Sequence, residues 1–317
     1  MSIKILANDG IDAAGLKILT DAGCAVVAEK VAQENLAQAI QTEGYTVLTV
    51  RSATQVRQDL IDACPGLKVI GRGGVGMDNI DVEYARSKGI AVINTPAASS
   101  HSVAELVFAH FMGAARFLYD SNRHMPVSGL AEFNTLKKKY APGIELKGKT
   151  LGIIGLGRIG QAAAAIGAGL GMKVIGHDPL LTSVKVSLDI QGVSPKPVLE
   201  VHSQALETVL AQSDFLTIHV PGGQIIGKEE FSKLKKGVVL ANTARGGVIE
   251  EAGLIQALND GIVAHACLDV FMNEPKPSTE ILSHPKISLT PHIGASTNEA
   301  QERIGVELAE KILEALK

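Results

Sequence analysis

The chain lacks what several kinds of protein require. Its three cysteines, Cys24, Cys64 and Cys267, cannot all pair within one chain. Their wide spacing fits neither a zinc site nor a dithiol motif, so a disulfide scaffold is excluded and no metal is expected. Thirty basic residues against thirty-three acidic ones give a formal charge of −3, which provides no basic field for the phosphates of a nucleic acid. No run reaches the roughly 18 apolar residues of a membrane span. The longest small-apolar stretch, 162–172, is shorter and rich in glycine and alanine. The opening segment 1–6 lacks the apolar centre of a secretory signal. These absences predict a protein of the reducing cytoplasm, without nucleic-acid or membrane partners. In the other direction, a length of 317 residues with 46% hydrophobic content predicts two domains with ample material for separate cores.

Short β-branched runs alternate with helical stretches. Residues 3–7, 26–28, 46–50, 69–71 and 91–94 read as buried strands, with amphipathic segments such as 11–22 and 56–63 between them. Such alternation implies parallel βαβ units. A long helix is expected over 102–124, where Val103, Leu106, Val107, His110, Phe111 and Ala114 recur at three- and four-residue steps. A polar, basic stretch without clear periodicity follows at 137–149. The pattern then resumes with strands at 151–155, 173–177, 215–219, 238–242, 264–268 and 287–289, and a final amphipathic helix over 296–316. Segment 182–203, with alternating Val184, Val186, Leu188 and Ile190 before a Pro-Lys-Pro turn, reads as a hairpin-like insertion. The expected fold is α/β, with two doubly wound parallel-sheet domains and a cleft between them.

Gly155-Leu156-Gly157-Arg158-Ile159-Gly160 follows one strand and opens a helix, and the next strand ends at Asp178, 18 positions after Gly160. That context is the dinucleotide fingerprint, whose acidic residue lies about 20 residues on. Gly155 would allow the tight turn, Gly157 the approach of the pyrophosphate, and Gly160 close helix–strand packing. The helix N-terminus would face the phosphates. Asp178 would bind the ribose hydroxyls and repel a 2′-phosphate, favouring NAD over NADP. A glycine-rich structural turn beside a surface aspartate is the plainer alternative.

A second glycine-rich stretch, Gly71-Arg72-Gly73-Gly74-Val75-Gly76, leads to a strand ending in Asn94 rather than an acid. It reads as an anion nest for a carboxylate or phosphate. Three ionisable residues follow apolar strands: Arg245, Glu274 and His292. Carboxyl ends of parallel strands face the ligand crevice, so all three are expected to converge there, with Asp269 at the same edge near the nicotinamide carboxamide. The set suits hydride transfer at a 2-hydroxy acid. His292 would exchange the hydroxyl proton, Glu274 would stabilise its imidazolium and fix its tautomer, and Arg245 would hold the carboxylate and polarise the C2 oxygen.

Asn242-Thr243-Ala244-Arg245-Gly246-Gly247, Leu268-Asp269-Val270-Phe271 through Glu274-Pro275, and Thr290-Pro291-His292-Ile293-Gly294 resemble the NAD-dependent D-isomer-specific 2-hydroxyacid dehydrogenase family. The resemblance covers nearly the whole chain. It implies catalytic roles for Arg245, Glu274 and His292, and NAD binding at Gly155, Gly157, Arg158, Ile159, Gly160, Asp178, Ala244 and Asp269. It implies a flavodoxin-like substrate domain of residues 1–99 and 291–317, with a Rossmann nucleotide domain of residues 100–290 inserted, and a homodimer formed through the latter. Val50-Arg51-Ser52-Ala53-Thr54 and the 71–81 segment are closest to members that use a phosphorylated 2-hydroxy acid. Substrate binding is accordingly expected at Arg51, Arg72, Gly73, Gly74 and Val75, aided by Lys137, Lys138 or Lys139 of a partner subunit. Departures are Ala97-Ala98-Ser99-Ser100, where the family often has Asn-Gly-Asn-Ser, and a short 220–226 loop. The amino-acid-binding regulatory domain of longer members is missing, so no feedback control of that kind is expected. Alternatives are a reductase of unphosphorylated hydroxypyruvate or glyoxylate and, from another class, an NAD-binding corepressor-like protein.

Overall fold

The computed structural model describes residues 3–317. The first two residues of the expected 1–99 segment, and of the opening stretch 1–6, lie outside the described residues. The chain divides into two compact units, one running to Ser100 and resuming at Ala295–Lys317, the other His101–Gly294.

The first unit contains β1 (Lys4–Ala7), α1 (Ala13–Asp21), β2 (Ala25–Val27), α2 (Leu36–Glu43), β3 (Val47–Val50), α3 (Gln58–Ala63), β4 (Val69–Arg72), α4 (Val82–Ser87) and β5 (Ala91–Asn94). Its sheet has the order β2-β1-β3-β4-β5, parallel throughout. Both faces are covered, as an all-parallel sheet requires. Leu6, Leu48 and Ile70 face one apolar layer, while Ile5, Val47 and Val69 face another.

The second unit opens with α5 (Ser100–Ala115) and α6 (Leu118–Lys139), then β6 (Thr150–Ile154), α7 (Arg158–Gly169) and β7 (Lys173–His177). The strands β8 (Ser183–Ser187) and β9 (Val198–His202) pair antiparallel in a sheet of their own, the hairpin expected at 182–203. There follow α8 (Leu206–Gln212), β10 (Phe215–Ile218), α9 (Lys228–Lys233), β11 (Val238–Asn242), α10 (Glu251–Asn259), β12 (Val263–Leu268), α11 (Thr279–Ser283) and β13 (Ile287–Leu289). The main sheet has the order β13-β12-β11-β10-β6-β7, again parallel.

The single helix expected over 102–124 is two helices. The break is at Phe117, which adopts a left-handed φ of 54°. Its N–H bonds the carbonyl of Ala114, and Ile144 N–H takes that of Ala115. The apolar packing of α5 ends at buried Ala115, and the residues after it, Arg116 to Leu118, are not buried. Helix α6 also covers the start of the stretch expected to lack periodicity. Buried Leu136 and the Tyr140 hydroxyl bonded to Asp120 tie its end down.

The chain returns to the first unit with α12 (Asn298–Ala315), whose N-cap Thr297 accepts from Ala300 N–H. Leu308 and Ile312 of α12 complete a core layer with Ile5, Val47 and Val69. A Cβ at Gly15 of α1 would collide with the backbone of Gly305 in α12. The close crossing of these helices therefore depends on glycine. No helix among the described residues is long and apolar enough to cross a membrane.

Candidate active site

In the second unit the strand order reverses between β6 and β10, the switch point at which open α/β sheets bind ligands. The glycine loop leaves β6 there. Gly155 has φ 92°, and a Cβ on it would strike the carbonyl of His219. A Cβ on Gly160 would strike the carbonyl of Gly155. Both glycines are therefore demanded by the fold itself. Gly157, the N-cap of α7, differs, because a Cβ there would meet nothing within 4 Å. The protein does not need a glycine at that point, whereas a pyrophosphate approaching the backbone does. Arg158 is exposed and Ile159 half-buried in the first turn of α7.

Asp178 stands where a ribose-binding acid belongs. Its Oδ2 accepts from Leu156 N–H in the glycine loop at 2.8 Å, and its Oδ1 from Leu180 and Leu181 N–H at 2.9 and 3.2 Å. Each carboxylate oxygen has two acceptor positions, so Oδ2 retains one for a sugar hydroxyl. Ser203, just past the hairpin, accepts from Asp178 N–H and donates to Asp178 O, both at 2.9 Å. The insertion thus fixes the backbone of Asp178, a role the sequence left open. The residues present fit a dinucleotide.

The carboxyl ends of β11, β12 and β13 carry Arg245, Glu274 and His292. Asn242 shapes the first loop: its Oδ1 accepts from Ala244 N–H at 3.0 Å and its Nδ2 donates to Arg245 O at 2.9 Å. The Arg245 guanidinium donates to Ala244 O at 2.6 Å. Gly246 lets this loop lie against the carbonyl of Phe271, which a Cβ would strike. Phe271 N–H in turn donates to Glu274 Oε1 at 2.9 Å, leaving Oε2 to bond His292 Nδ1 at 2.8 Å. Glu274 and His292 are therefore brought together, with the imidazole half exposed at 45% of its side chain.

His292 has φ 55°, unfavourable for a residue with a Cβ. Asp269 holds it there. This aspartate is 1% exposed; its Oδ1 accepts from Thr290 Oγ1 at 2.6 Å and Ile293 N–H at 2.8 Å, and its Oδ2 from Gly294 N–H at 2.8 Å. The residue expected beside the nicotinamide is thus also the clamp of the histidine loop, with one acceptor position left on Oδ2. Nothing in its spacing revealed this, because the bonds come from backbone 24 and 25 positions away. Asn242 could have been read from its place before a turn, where Asx side chains bond the backbone two residues on.

In the first unit Arg51 follows Val50, the register partner of Arg72; the two arginines leave adjacent strands. Asp9, after β1, accepts from Arg51 N–H at 2.8 Å and from Thr54 through both N–H and hydroxyl. Asn79 Nδ2 donates to Arg51 O at 2.7 Å and to Thr54 O. Burial pushes the Asp9 carboxyl up, but the bonds from Arg51, Thr54 and Lys30 outweigh it and hold it below the usual carboxylate range. Gly73 spends its N–H on Val50 O, so the anion-nest reading falls to the loop beyond it. Arg72 folds back over Gly74 and donates to Gly73 O at 3.2 Å. Arg51 and Gly73 line a small pocket with Gly10 and Gln301. Val75 is partly exposed, its carbonyl bonded by Asn94.

Two parallel α/β units, one bearing a glycine loop that fits a dinucleotide and a bonded histidine–glutamate pair, place the chain in the class of dinucleotide-binding α/β proteins. Residues 108–294 match the NAD binding domain of the D-isomer specific 2-hydroxyacid dehydrogenases, and the chain belongs to that family. It is 41% identical to the D-3-phosphoglycerate dehydrogenase of Methanocaldococcus jannaschii over 99% of its own length, but spans only 58% of that protein. It is 40% identical to the hydroxypyruvate reductase of Thermotoga maritima, over 99% of this chain and 98% of the relative. Among solved structures it resembles a glyoxylate reductase from Paecilomyes thermophila, with TM-score 0.82 and 28% identity over 100% of this chain and 95% of the other.

Proposed function

We propose that the chain oxidises D-3-phosphoglycerate to 3-phosphohydroxypyruvate, the first step of serine synthesis, with NAD as hydride acceptor. The observation that carries this reading is the His292–Glu274 bond of 2.8 Å. With Nδ1 engaged by the carboxylate, Nε2 is the ring atom that takes the C2 hydroxyl proton as the alcohol becomes a ketone. Glu274, itself anchored by Phe271 N–H, fixes the ring and stabilises the imidazolium. Arg245 holds the substrate carboxylate and draws charge toward the C2 oxygen. The chemistry that bound NAD would supply is acceptance of the C2 hydride. Gly157 and the N-terminus of α7 receive its pyrophosphate and Asp178 its ribose hydroxyls. Arg51 and Arg72, on neighbouring strands, take the substrate phosphate. In this reading residues 100–290 form the nucleotide domain and 1–99 with 291–317 the substrate domain.

A second reading, reduction of hydroxypyruvate or glyoxylate, draws support from the nearly full-length match to the Thermotoga reductase. The deciding experiment follows NADH and NADPH consumption with phosphohydroxypyruvate, hydroxypyruvate and glyoxylate. Preference for the phosphorylated acid by kcat/KM supports the first reading, and preference for the others supports the second. Turnover of none of them would favour a corepressor-like NAD-binding protein.

The reading includes a homodimer through the nucleotide domain. Helix α6 supports it, since Leu118, Val127, Leu130 and Phe133 are exposed large apolar residues, which mark association surfaces when they are contiguous. Of the three lysines at its end, Lys139 pairs with Asp120 at 3.1 Å, so Lys137 and Lys138 are the ones offered to a partner's substrate. A cytoplasmic location is part of the proposal, and free, buried Cys24, Cys64 and Cys267 suit it.

A further inference from the structure

We propose that His110 is a positioning residue for His292, acting through Thr290 and Asp269. The inference rests on the acid–base reading of His292 above.

His110 sits on α5 among residues that the sequence pattern marks as core. Its flanking stripe, Val107 and Phe111, is fully buried. The histidine itself is 5% exposed, yet neither ring nitrogen lacks a partner. Nδ1 lies 2.8 Å from Ser288 Oγ, and Nε2 lies 3.0 Å from Thr290 Oγ1. Thr290 Oγ1 lies 2.6 Å from Asp269 Oδ1.

The proton inventory fixes the direction of every bond. A carboxylate only accepts, so the single hydroxyl proton of Thr290 goes to Asp269. Thr290 Oγ1 then faces His110 as an acceptor, and Nε2 must carry a hydrogen. Burial pushes the His110 pKa down, against the pull of Asp269, so the ring is neutral. A neutral ring protonated on Nε2 has a bare Nδ1, which accepts from Ser288. Donation therefore runs one way, from Ser288 through His110 and Thr290 to Asp269, and each bond polarises the next.

The carboxylate at the end of this relay clamps Ile293 and Gly294 N–H. Those two groups directly follow the left-handed backbone of His292. An apolar residue would fill the place of His110 without needing any partner. A histidine there makes the orientation of Thr290, and through it of Asp269, depend on a ring with a defined tautomer. Because activity falls steeply when a reacting group is misplaced, the relay should be felt in turnover rather than in binding.

The test uses the full-length protein in two variants and one spectroscopic measurement. His110→Met keeps the bulk and removes both hydrogen bonds. His110→Gln restores an amide N–H toward Thr290. With NADH and either hydroxypyruvate or phosphohydroxypyruvate, whichever the wild type reduces faster, His110→Met should lower kcat roughly tenfold. KM for both substrates should stay within about twofold, and His110→Gln should recover most of kcat. Unchanged kcat in His110→Met, or equal loss in both variants, overturns the proposal. Imidazole nitrogen NMR of the wild type gives an independent check if His110→Met fails to fold. His110 must show the Nε2–H tautomer, and the Nδ1–H form overturns the relay. If the wild type turns over no oxo acid, the enzymatic reading fails instead, while the tautomer still decides the relay.

Discussion

In both units the strand order reverses once, between β1 and β3 in the first and between β6 and β10 in the second. The two reversals are used differently. In the first, Asp9 fills the position with a side chain, and its carboxylate binds the backbone of Arg51 and Thr54. In the second, Gly157 leaves the position open, and the acid, Asp178, stands at the end of the next strand. One topology thus produces a self-filled loop that presents an arginine, and an unfilled loop able to receive a dinucleotide. The scaffold supplies the location; whether a side chain or empty space occupies it decides the chemistry.

Substitutions on the two sides of this comparison should separate cleanly. The largest effect is expected in the second unit. His292→Ala should lower kcat by about 10²-fold or more, since the proton carrier is lost, and steady-state reduction of the preferred oxo acid measures it. If His292→Ala kept wild-type turnover, the acid–base assignment would be wrong. In the first unit, Arg51→Ala and Arg72→Ala should each raise KM for phosphohydroxypyruvate about tenfold or more, equivalent to losing a charged hydrogen bond of about 1.5–3 kcal/mol. Neither should alter use of hydroxypyruvate; equal effects on both acids would remove the phosphate role.

The glycine contrast gives a finer test. Gly157→Ala should fold with a wild-type melting temperature and bind NADH about tenfold more weakly, because only the ligand competes for that space. Gly160→Ala should instead lower the melting temperature, because its methyl meets protein backbone. Titration calorimetry with thermal melts distinguishes the two.

Acid should affect the units in sequence. Burial pulls His219 down to about 3 and His265 to about 4, the latter also repelled by His110, His284 and Lys286. Below their unfolded value near 6.5 the unfolded chain binds protons that the folded second unit refuses. Stability is therefore full above that pH and falls as pH drops toward 4, by about 3 kcal/mol for His265 alone. Asp9 has the same sign but acts at lower pH. Its lowered carboxyl contributes above the unfolded value of 3.8 and is lost only as pH falls through its folded value. Hydrogen exchange at pH 7, 5 and 4 should show the second unit loosening first, and His265→Gln should flatten its decline. Simultaneous loosening of both units would remove this distinction.

The sequence made the strands legible because parallel, doubly covered strands are continuous apolar runs. The 238–242 and 287–289 assignments match β11 and β13 residue for residue. The glycine loop was legible because its spacing is local. The break at Phe117 was not, since a left-handed residue there depends on how 144 docks on the end of α5. Nor was the work of Asp269, whose partners meet it only in three dimensions. His110 counted as one member of an apolar stripe, and periodicity cannot tell a hydrophobic side chain from a polar one whose partners come from a distant strand. The hairpin was visible as alternation, but the bond of Ser203 to Asp178 was not, because a lone serine after a strand carries no spacing signal.

The Gly15–Gly305 crossing bears on how the polypeptide matures. On a ribosome the segment His101–Gly294 emerges as one uninterrupted stretch and can close its own core at once. The earlier segment must wait, with α1 covering only part of that face of its sheet, until α12 has been translated and can seal the rest. Chaperone capture of nascent chains, or cleavage of truncated ones, should therefore concentrate in residues before Ser100.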